Sequence, residues 1–142
     1  MKNNILTLAA IVALAFTTSC KKDKKQEETP KTQTELLTQA EWKVIKTEET
    51  LYLNDTLNDQ EVDFEQSLKV KFNTDNTVSF AEEGEDPEVS FWNLSNDFIL
   101  IEDAAFTILA LTETELTLQA EEKGTDPDVG KYRFLYTIYM TH

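Results

Sequence analysis

Apolar side chains recur at every second position along much of this chain, and this period constrains its fold more than any other feature. In the last segment, residues 131–141, they fall at Tyr132, Phe134, Tyr136, Ile138 and Met140. A period of two places these side chains on one face of a β-strand, because successive side chains of a strand point to opposite faces. The pattern predicts a sheet with one buried face.

Eight segments are predicted as strands on this basis: 42–53, 67–73, 76–82, 88–94, 97–102, 105–111, 115–121 and 130–141. Most are joined by short connections rich in turn residues, which favours antiparallel pairing of neighbours. The connection 54–66 is longer and carries the turn signals Asn54-Asp55 and Asn58-Asp59. No helical period separates the strands, so the pattern predicts an all-β domain.

Closure into an eight-stranded antiparallel up-and-down barrel is the favoured arrangement, because it removes the exposed edges that an open sheet would have. A Greek-key β-sandwich of the same strands is the alternative. A short helix is predicted before the first strand. There, Thr32 and Glu35 have the spacing of a capping box, and Leu36 and Leu37 follow.

The first twenty residues have the organisation of a secretory signal. Lys2 precedes the apolar stretch 5–16, and small residues then lead to Cys20, the single cysteine of the chain. Twelve residues are too few to span a bilayer about 30 Å thick as a helix. The small residues before Cys20 resemble the lipobox of bacterial lipoproteins. This resemblance implies cleavage after residue 19 and acylation of Cys20, palmitate included. The alternative, a core helix with a buried cysteine, suits an amphipathic segment better than this uniformly apolar one.

Residues 20–33 are predicted to form a disordered tether between the lipidated cysteine and a globular domain at 34–142. The tether contains Lys21, Lys22, Lys24 and Lys25 and no aromatic residue. Its lysines suit anionic head groups. Lipoprotein sorting, in which an aspartate after the cysteine favours the inner membrane, implies the outer membrane here, because Lys21 follows Cys20. The periplasmic face is favoured over the cell surface, which in some bacterial groups goes with an acidic run after the cysteine.

Charge and composition exclude several classes of function. The chain has 27 Asp and Glu against 13 Lys and Arg, for a net charge of −14, which argues against nucleic-acid partners. Once Cys20 is acylated no thiol remains, and the single histidine is the last residue, His142. Thiolate catalysis and catalytic triads with a histidine base are therefore unexpected. We expect no enzyme activity, no catalytic residues and no cofactor.

Acidic loops leave calcium binding as an open alternative, although we expect no metal site. Glu82, Glu83, Glu85 and Asp86 lie together in one loop, and Asp126 and Asp128 in another. Calcium prefers several carboxylate and carbonyl oxygens, but the ordered spacing of an EF-hand loop is missing.

The globular part resembles the lipocalin-like domains of exported bacterial lipoproteins. The similarity covers residues 34–142 and is carried by four features, the first of which is the short helix predicted before the first strand. A tryptophan opens the first strand in Ala40-Glu41-Trp42. The stretch 70–80 reads as a hairpin, Val-Lys-Phe-Asn-Thr-Asp-Asn-Thr-Val-Ser-Phe, and residues 106–118 read Phe-Thr-Ile-Leu-Ala-Leu-Thr-Glu-Thr-Glu-Leu-Thr-Leu.

This resemblance implies binding of a small hydrophobic ligand inside the barrel. The implied ligand-binding residues are Phe72, Phe80, Phe91, Phe106, Phe134 and Tyr136. It also implies that Arg133 packs over Trp42 and closes the barrel at the first and last strands, the alternative being that Arg133 is an outward-facing strand cation. The same apolar residues would equally fill a solid core. A solid barrel that contacts another envelope protein or a polysaccharide through its outer surface therefore remains the second hypothesis.

Overall fold

One short helix and nine antiparallel strands make up the computed structural model, which describes residues 30–64 and 67–142. The elements are α1 (Gln33–Thr38), β1 (Trp42–Leu53), β2 (Thr56–Asp63), β3 (Lys69–Phe72), β4 (Thr77–Ala81), β5 (Glu88–Ser95), β6 (Phe98–Ile101), β7 (Ala104–Leu111), β8 (Glu115–Asp126) and β9 (Gly130–Thr141). The predicted signal peptide, Cys20 and most of the predicted tether lie outside the described residues.

Eight of the strands close into a barrel in the order β1-β3-β4-β5-β6-β7-β8-β9, with β9 hydrogen-bonded back to β1. Every pair of neighbours is antiparallel. This confirms the predicted eight-stranded barrel with a short helix before it. The alternative of a β-sandwich was wrong, because the pairing of the first strand with the last joins all the strands into one closed sheet.

A ninth strand, β2, occupies the segment 54–66 that the sequence predicted as a connection. β2 pairs with Thr47–Leu53 of β1, and every one of its residues is exposed. Asn54 and Asp55 form the turn between the two strands, both with positive φ, 49° and 64°. Two consecutive residues with positive φ are typical of the type I′ turn of a tight hairpin.

Part of each long strand β1, β8 and β9 extends past the barrel. Together with β2, these parts form a four-stranded sheet, which we call the projecting sheet. It consists of residues 56–61, 49–53, 130–136 and 120–126, in that spatial order. β1, β8 and β9 are 12 residues long, whereas the strands β3 to β7 have four to eight residues. At the open end of the barrel, β1, β8 and β9 therefore extend beyond the ends of the five shorter strands, so that one side of the opening is higher than the other.

The opposite end of the barrel is closed by α1 and a tightly packed core. Its largest fully buried side chains are Trp42, Phe72, Leu37, Ile99, Leu116, Leu118, Val44 and Val78. The indole Nε1 of Trp42 donates to the carbonyl oxygen of Leu37 at 2.9 Å, which holds the helix against the first strand. The predicted capping box is confirmed: the Glu35 backbone N–H donates to Thr32 Oγ1 at 3.2 Å, and the Thr32 N–H donates to Glu35 Oε2 at 2.7 Å.

Both ends of the described chain meet at this closed end. The ring of His142 lies 4.8 Å from the Trp42 ring in an edge-on arrangement, although His142 itself is exposed. Lys31 Nζ lies 2.7 Å from Glu113 Oε1, in the β7–β8 connection. The chain therefore enters and leaves the barrel on the side away from the open end.

Asn54 joins the two hairpin turns at the tip of the projecting sheet. Its Nδ2 donates to the Val129 carbonyl oxygen at 3.2 Å, and its Oδ1 accepts from the Lys131 N–H at 3.1 Å. Gly130, between those two residues, has a φ of +89°. A Cβ on Gly130 would lie 2.6 Å from Asn54 Oδ1, so a side chain at this position would disturb both turns.

We expect Gly130→Ala to lower the free energy of unfolding by more than the roughly 1–2 kcal/mol that left-handed backbone alone costs a residue with a Cβ. Gly84→Ala is the matched control, because Gly84 has a φ of +90° and nothing within 4 Å of its added Cβ. Urea unfolding of both variants measures the difference. Equal losses in the two variants would show that the contact with Asn54 contributes nothing to stability.

Candidate functional site

A cavity of about 570 Å³ lies at the open end of the barrel. It is lined by Phe80, Glu88, Val89, Ser90, Ile101, Glu102, Ala104, Phe106 and Ile138. Beneath it is a small void of about 80 Å³, whose lining includes Phe72, Phe80 and Tyr136. The barrel is therefore packed solid at its closed end and hollow at its open end.

Strand register explains why the principal wall residues of the cavity point inward. Residues directly opposite each other in an antiparallel pair share a face of the sheet. Phe80 lies opposite Glu88, and Ile101 lies opposite Ala104. Ser90 lies opposite the fully buried Val78 and is itself only 7% exposed. Glu88 and Ser90 are thus polar residues among the mainly apolar side chains that line the cavity.

Glu102 stands at the rim of the cavity in a conformation that glutamate rarely adopts. With Asp103 it forms the turn between β6 and β7, at a φ of 54°. The sequence had predicted Glu102 as the last residue of the strand 97–102, whereas the structure places it in the turn that follows β6. The Ser90 hydroxyl donates to Glu102 Oε1 at 2.7 Å, and the Glu102 N–H donates to the Phe91 carbonyl oxygen at 3.0 Å. These two bonds direct the carboxylate toward the cavity wall.

The cations of the described strands all lie on the outer face of the sheet. The register places Lys43 opposite Lys69, Lys71 opposite Ser79, and Lys123 opposite Arg133, each pair on the outer face. Lys46 lies opposite Tyr139, and Lys131 opposite Thr125, also on that face. The inner face carries carboxylates instead, at Glu49, Asp59, Glu61, Asp63, Glu88 and Glu122.

Contacts on the outer face hold some of these cations away from the cavity. Lys46 Nζ lies 3.8 Å from the centre of the Tyr139 ring and 3.1 Å from Glu48 Oε2. The hydrogen bond to Glu48 raises the pKa of Lys46, and the same bond lowers the pKa of Glu48 with help from Gln60. Both groups therefore stay charged and engaged with each other over a wide pH range.

The inner face of the projecting sheet continues the cavity wall with a row of aromatic rings. Tyr136 lies opposite Ala120, Phe134 opposite Glu122, and Tyr132 opposite Gly124. A Cβ on Gly124 would lie 2.7 Å from the Tyr132 hydroxyl oxygen, so the absence of a side chain there makes room for the tyrosine ring. The Tyr132 hydroxyl donates to Glu122 Oε1 at 3.0 Å, and this bond raises the pKa of Tyr132.

The predicted contact between Trp42 and Arg133 is wrong. The guanidinium carbon of Arg133 lies 4.4 Å from the centre of the Tyr52 ring, on the outer face. Because β1 and β9 run antiparallel, the start of β1 meets the end of β9, and Arg133 lies opposite Tyr52 instead. Arg133 is thus an outward-facing strand cation, the alternative that the sequence had left open.

The six residues implied as ligand-binding fall in four different places. Phe80 and Phe106 line the cavity, and Phe72 and Tyr136 line the void beneath it. Phe134 lies on the inner face of the projecting sheet. Phe91 was placed wrongly: its side chain points outward and is 73% exposed, because Ser90 and Trp92 occupy the inward positions of β5. The sequence did not identify Glu88, Ser90 and Glu102 as cavity residues.

The outer wall formed by β4 to β7 is uncharged and largely apolar. Its outward-facing residues include Thr77, Ser79, Val89, Phe91, Asn93, Phe98, Leu100, Ala105, Thr107 and Leu109. Phe91, Phe98, Leu100 and the two other large apolar residues among them are exposed. Contiguous exposed apolar surface of this kind is often functional in soluble domains.

In residues 30–64 and 67–142, no helix is long and apolar enough to cross a bilayer. The same residues bring together no group of three or more His, Cys, Asp or Glu side chains suited to holding a metal ion. Comparison of the chain with protein-family models, curated proteins and solved structures gave no match.

Proposed function

We propose that this protein is a membrane-anchored envelope lipoprotein whose barrel binds a small ligand with a substantial hydrophobic part. The cavity at the open end carries the proposal. Its volume of about 570 Å³ lies within the range of about 300–1,000 Å³ that is usual for small-molecule sites. Phe80, Ile101 and Phe106 supply apolar walls, and a few polar groups converge at the rim.

A solid barrel would be expected to have no such cavity, which favours binding over the second hypothesis. The packed residues at the closed end supply the stability of the fold. At the open end Phe80, Ile101 and Phe106 are only partly buried, and Glu88, Glu102 and Ala104 are exposed. Apolar side chains left uncovered around a concave surface are what a ligand with an apolar part would bury.

A thermal-shift and calorimetry screen of water-soluble aryl and alkyl compounds tests this proposal on the full chain in a neutral detergent micelle. A compound present at 100 times its dissociation constant stabilises the native state by about 2.7 kcal/mol, which gives a melting-temperature rise of several degrees. Micelles without protein give the background heat of partitioning. Flat melting curves and background heats for every compound would contradict ligand binding.

The anchoring part of the proposal is supported by the sequence of residues 1–20 and by the lysine-rich segment that follows. We expect the mature chain to begin at an acylated Cys20 and to reside in the outer membrane on its periplasmic side. Mass spectrometry of the N-terminal peptide measures both the cleavage and the acyl mass, with Cys20→Ser as the unacylated control. An uncut or unacylated N-terminus in the native protein would contradict the anchor.

A second candidate function, contact with another envelope protein, is favoured by the uncharged outer wall of β4 to β7. Photo-cross-linking from position 98 in intact envelopes tests it. Position 71, on the outer face of the neighbouring strand β3, is the control. A discrete protein adduct from position 98 alone would support this function. Equal adducts from both positions, or none, would contradict it.

A further inference from the structure

We propose that the ligand of the cavity is a cationic amphiphile, with an ammonium or guanidinium group at the rim and an aromatic or alkyl part inside. This inference rests on the proposed function and specifies the chemistry of the same site. Three independent features support it: the charged groups of the cavity itself, the distribution of charge between the two faces of the sheet, and the aromatic wall beside the opening.

The cavity contains two ionisable side chains, and both are carboxylates. Glu88 faces inward opposite Phe80, and Glu102 accepts a hydrogen bond from the buried Ser90 hydroxyl. A carboxylate accepts hydrogen bonds and donates none, so two of them at one rim match a group that donates several bonds and carries positive charge. An anionic ligand would meet repulsion here, and a neutral one would leave these acceptors to water.

The distribution of charge between the two faces of the sheet also indicates a positively charged ligand. Every lysine and arginine in the strands of the described residues lies on the outer face, whereas Glu49, Glu61 and Glu122 lie on the inner face that leads to the cavity. A concave surface with charges of one sign concentrates counter-ions and speeds their association. The entrance therefore attracts cations, although the outer face of the same strands carries charges of both signs.

The aromatic row of the projecting sheet offers a second means of recognising a cation. Tyr136, Phe134 and Tyr132 follow one another along β9 on the inner face. A cation within about 6 Å of an aromatic ring is attracted by the electron density of its face. A ligand that enters past this row meets aromatic faces and carboxylates together, a combination suited to organic ammonium groups.

Backbone strain at Glu102 agrees with a role for its carboxylate. At a φ of 54°, glutamate has a higher conformational energy than asparagine or glycine would have. In the β5–β6 turn, the corresponding left-handed position is occupied by an asparagine, Asn96. We therefore expect Glu102→Asn to preserve or raise the melting temperature while weakening the binding of a cationic ligand.

Three probes with one carbon skeleton test the inference: 4-phenylbutylamine, 4-phenylbutanol and 4-phenylbutyrate. Calorimetric titration of the full chain at pH 7 in neutral detergent is expected to show the amine binding at least about tenfold more tightly than the alcohol, with the carboxylate weakest. Glu102→Gln and Glu88→Gln should each reduce the ratio of amine to alcohol affinity severalfold, because each removes a negative charge from the rim. For Glu102→Asn, the melting temperature is measured as well, because it shows whether the backbone of the β6–β7 turn is strained in the native chain.

Glu121→Gln is the matched control, because Glu121 lies on the outer face opposite Leu135 and its replacement changes the net charge equally. We expect it to leave the affinity ratio unchanged. Alcohol binding as tight as amine binding, or a ratio that Glu121→Gln reduces as much as Glu102→Gln does, would overturn the cationic preference while leaving the proposed function intact. Absence of binding by all three probes would overturn this inference, and the proposed function would be overturned with it only if every compound of the thermal-shift screen also failed to bind.

Discussion

Replacing Trp42 with alanine should cost about 3–5 kcal/mol of unfolding free energy, the usual loss when a large buried aromatic residue is truncated. Trp42 is fully buried, packs at the closed end of the barrel, and donates its indole N–H to the Leu37 carbonyl oxygen. Small domains are stable by about 5–15 kcal/mol, so this loss should bring the chain close to unfolding at growth temperature. Urea unfolding followed by far-ultraviolet circular dichroism measures it.

Two further variants separate packing from hydrogen bonding in this prediction. Trp42→Phe keeps an aromatic ring but leaves the Leu37 carbonyl without its donor, which should cost about 1–3 kcal/mol. Phe98→Ala removes a ring that is 54% exposed on the outer wall and should change stability by no more than about 0.5 kcal/mol. Similar losses at positions 42 and 98 would contradict the assignment of the core to the closed end.

Filling the cavity with an indole should abolish most of the ligand binding that we propose for it. Ala104 lies on the inner face opposite Ile101 and lines the cavity, so the indole introduced by Ala104→Trp would occupy space that a ligand needs. We expect at least about tenfold weaker binding of 4-phenylbutanol by calorimetry. Stability should stay the same or rise, because the new side chain covers apolar surface that is otherwise exposed.

The adjacent residue provides the control for this substitution. Ala105 lies opposite Leu100 on the outer face, so Ala105→Trp adds the same side chain to the same strand but outside the barrel. Affinity for 4-phenylbutanol should be unchanged in this variant. If the two variants lose affinity equally, or if Ala104→Trp retains full affinity, the ligand does not occupy this cavity.

The architecture of the barrel was largely predictable from sequence because most of its strands have one buried and one exposed face. Such strands carry an alternating pattern, as in 131–141. β2 was missed because the alternation arises only where a core selects for it. All residues of Thr56–Asp63 are exposed, and they are polar at most positions on both faces. A strand that pairs with its neighbour mainly through the backbone leaves little trace in the pattern of side chains.

The candidate site was only partly predictable, for two physical reasons. In β5, apolar residues occupy both parities, Val89 and Phe91 on one face and Trp92 and Leu94 on the other, so the alternation does not say which face is inside. The buried position of Trp92 resolves the ambiguity and puts Phe91 outside. Glu102 depends on a turn that brings it to Ser90, a contact between segments that one sequence does not encode locally.

The predicted pairing of Trp42 with Arg133 failed for a reason that strand direction alone supplies. Two antiparallel strands of 12 residues place the first residue of one near the last residue of the other. Arg133 stands close to the start of β9, so its neighbour on β1 had to lie near the end of that strand, where Tyr52 is found. Direction of pairing therefore constrains which residues can meet as strongly as their chemical affinity does.

The chain enters the barrel at its closed end, which determines which end of the molecule a surface attachment would leave uncovered. Residues 31 and 113 are joined by an ion pair beneath the floor, and the mouth lies at the far end. In a molecule immobilised through the residues before position 30, whether on a sensor chip or on a bilayer, the attachment would lie at the closed end and the mouth at the opposite end. The support would then not cover the mouth, and solutes could reach the cavity directly from the aqueous phase.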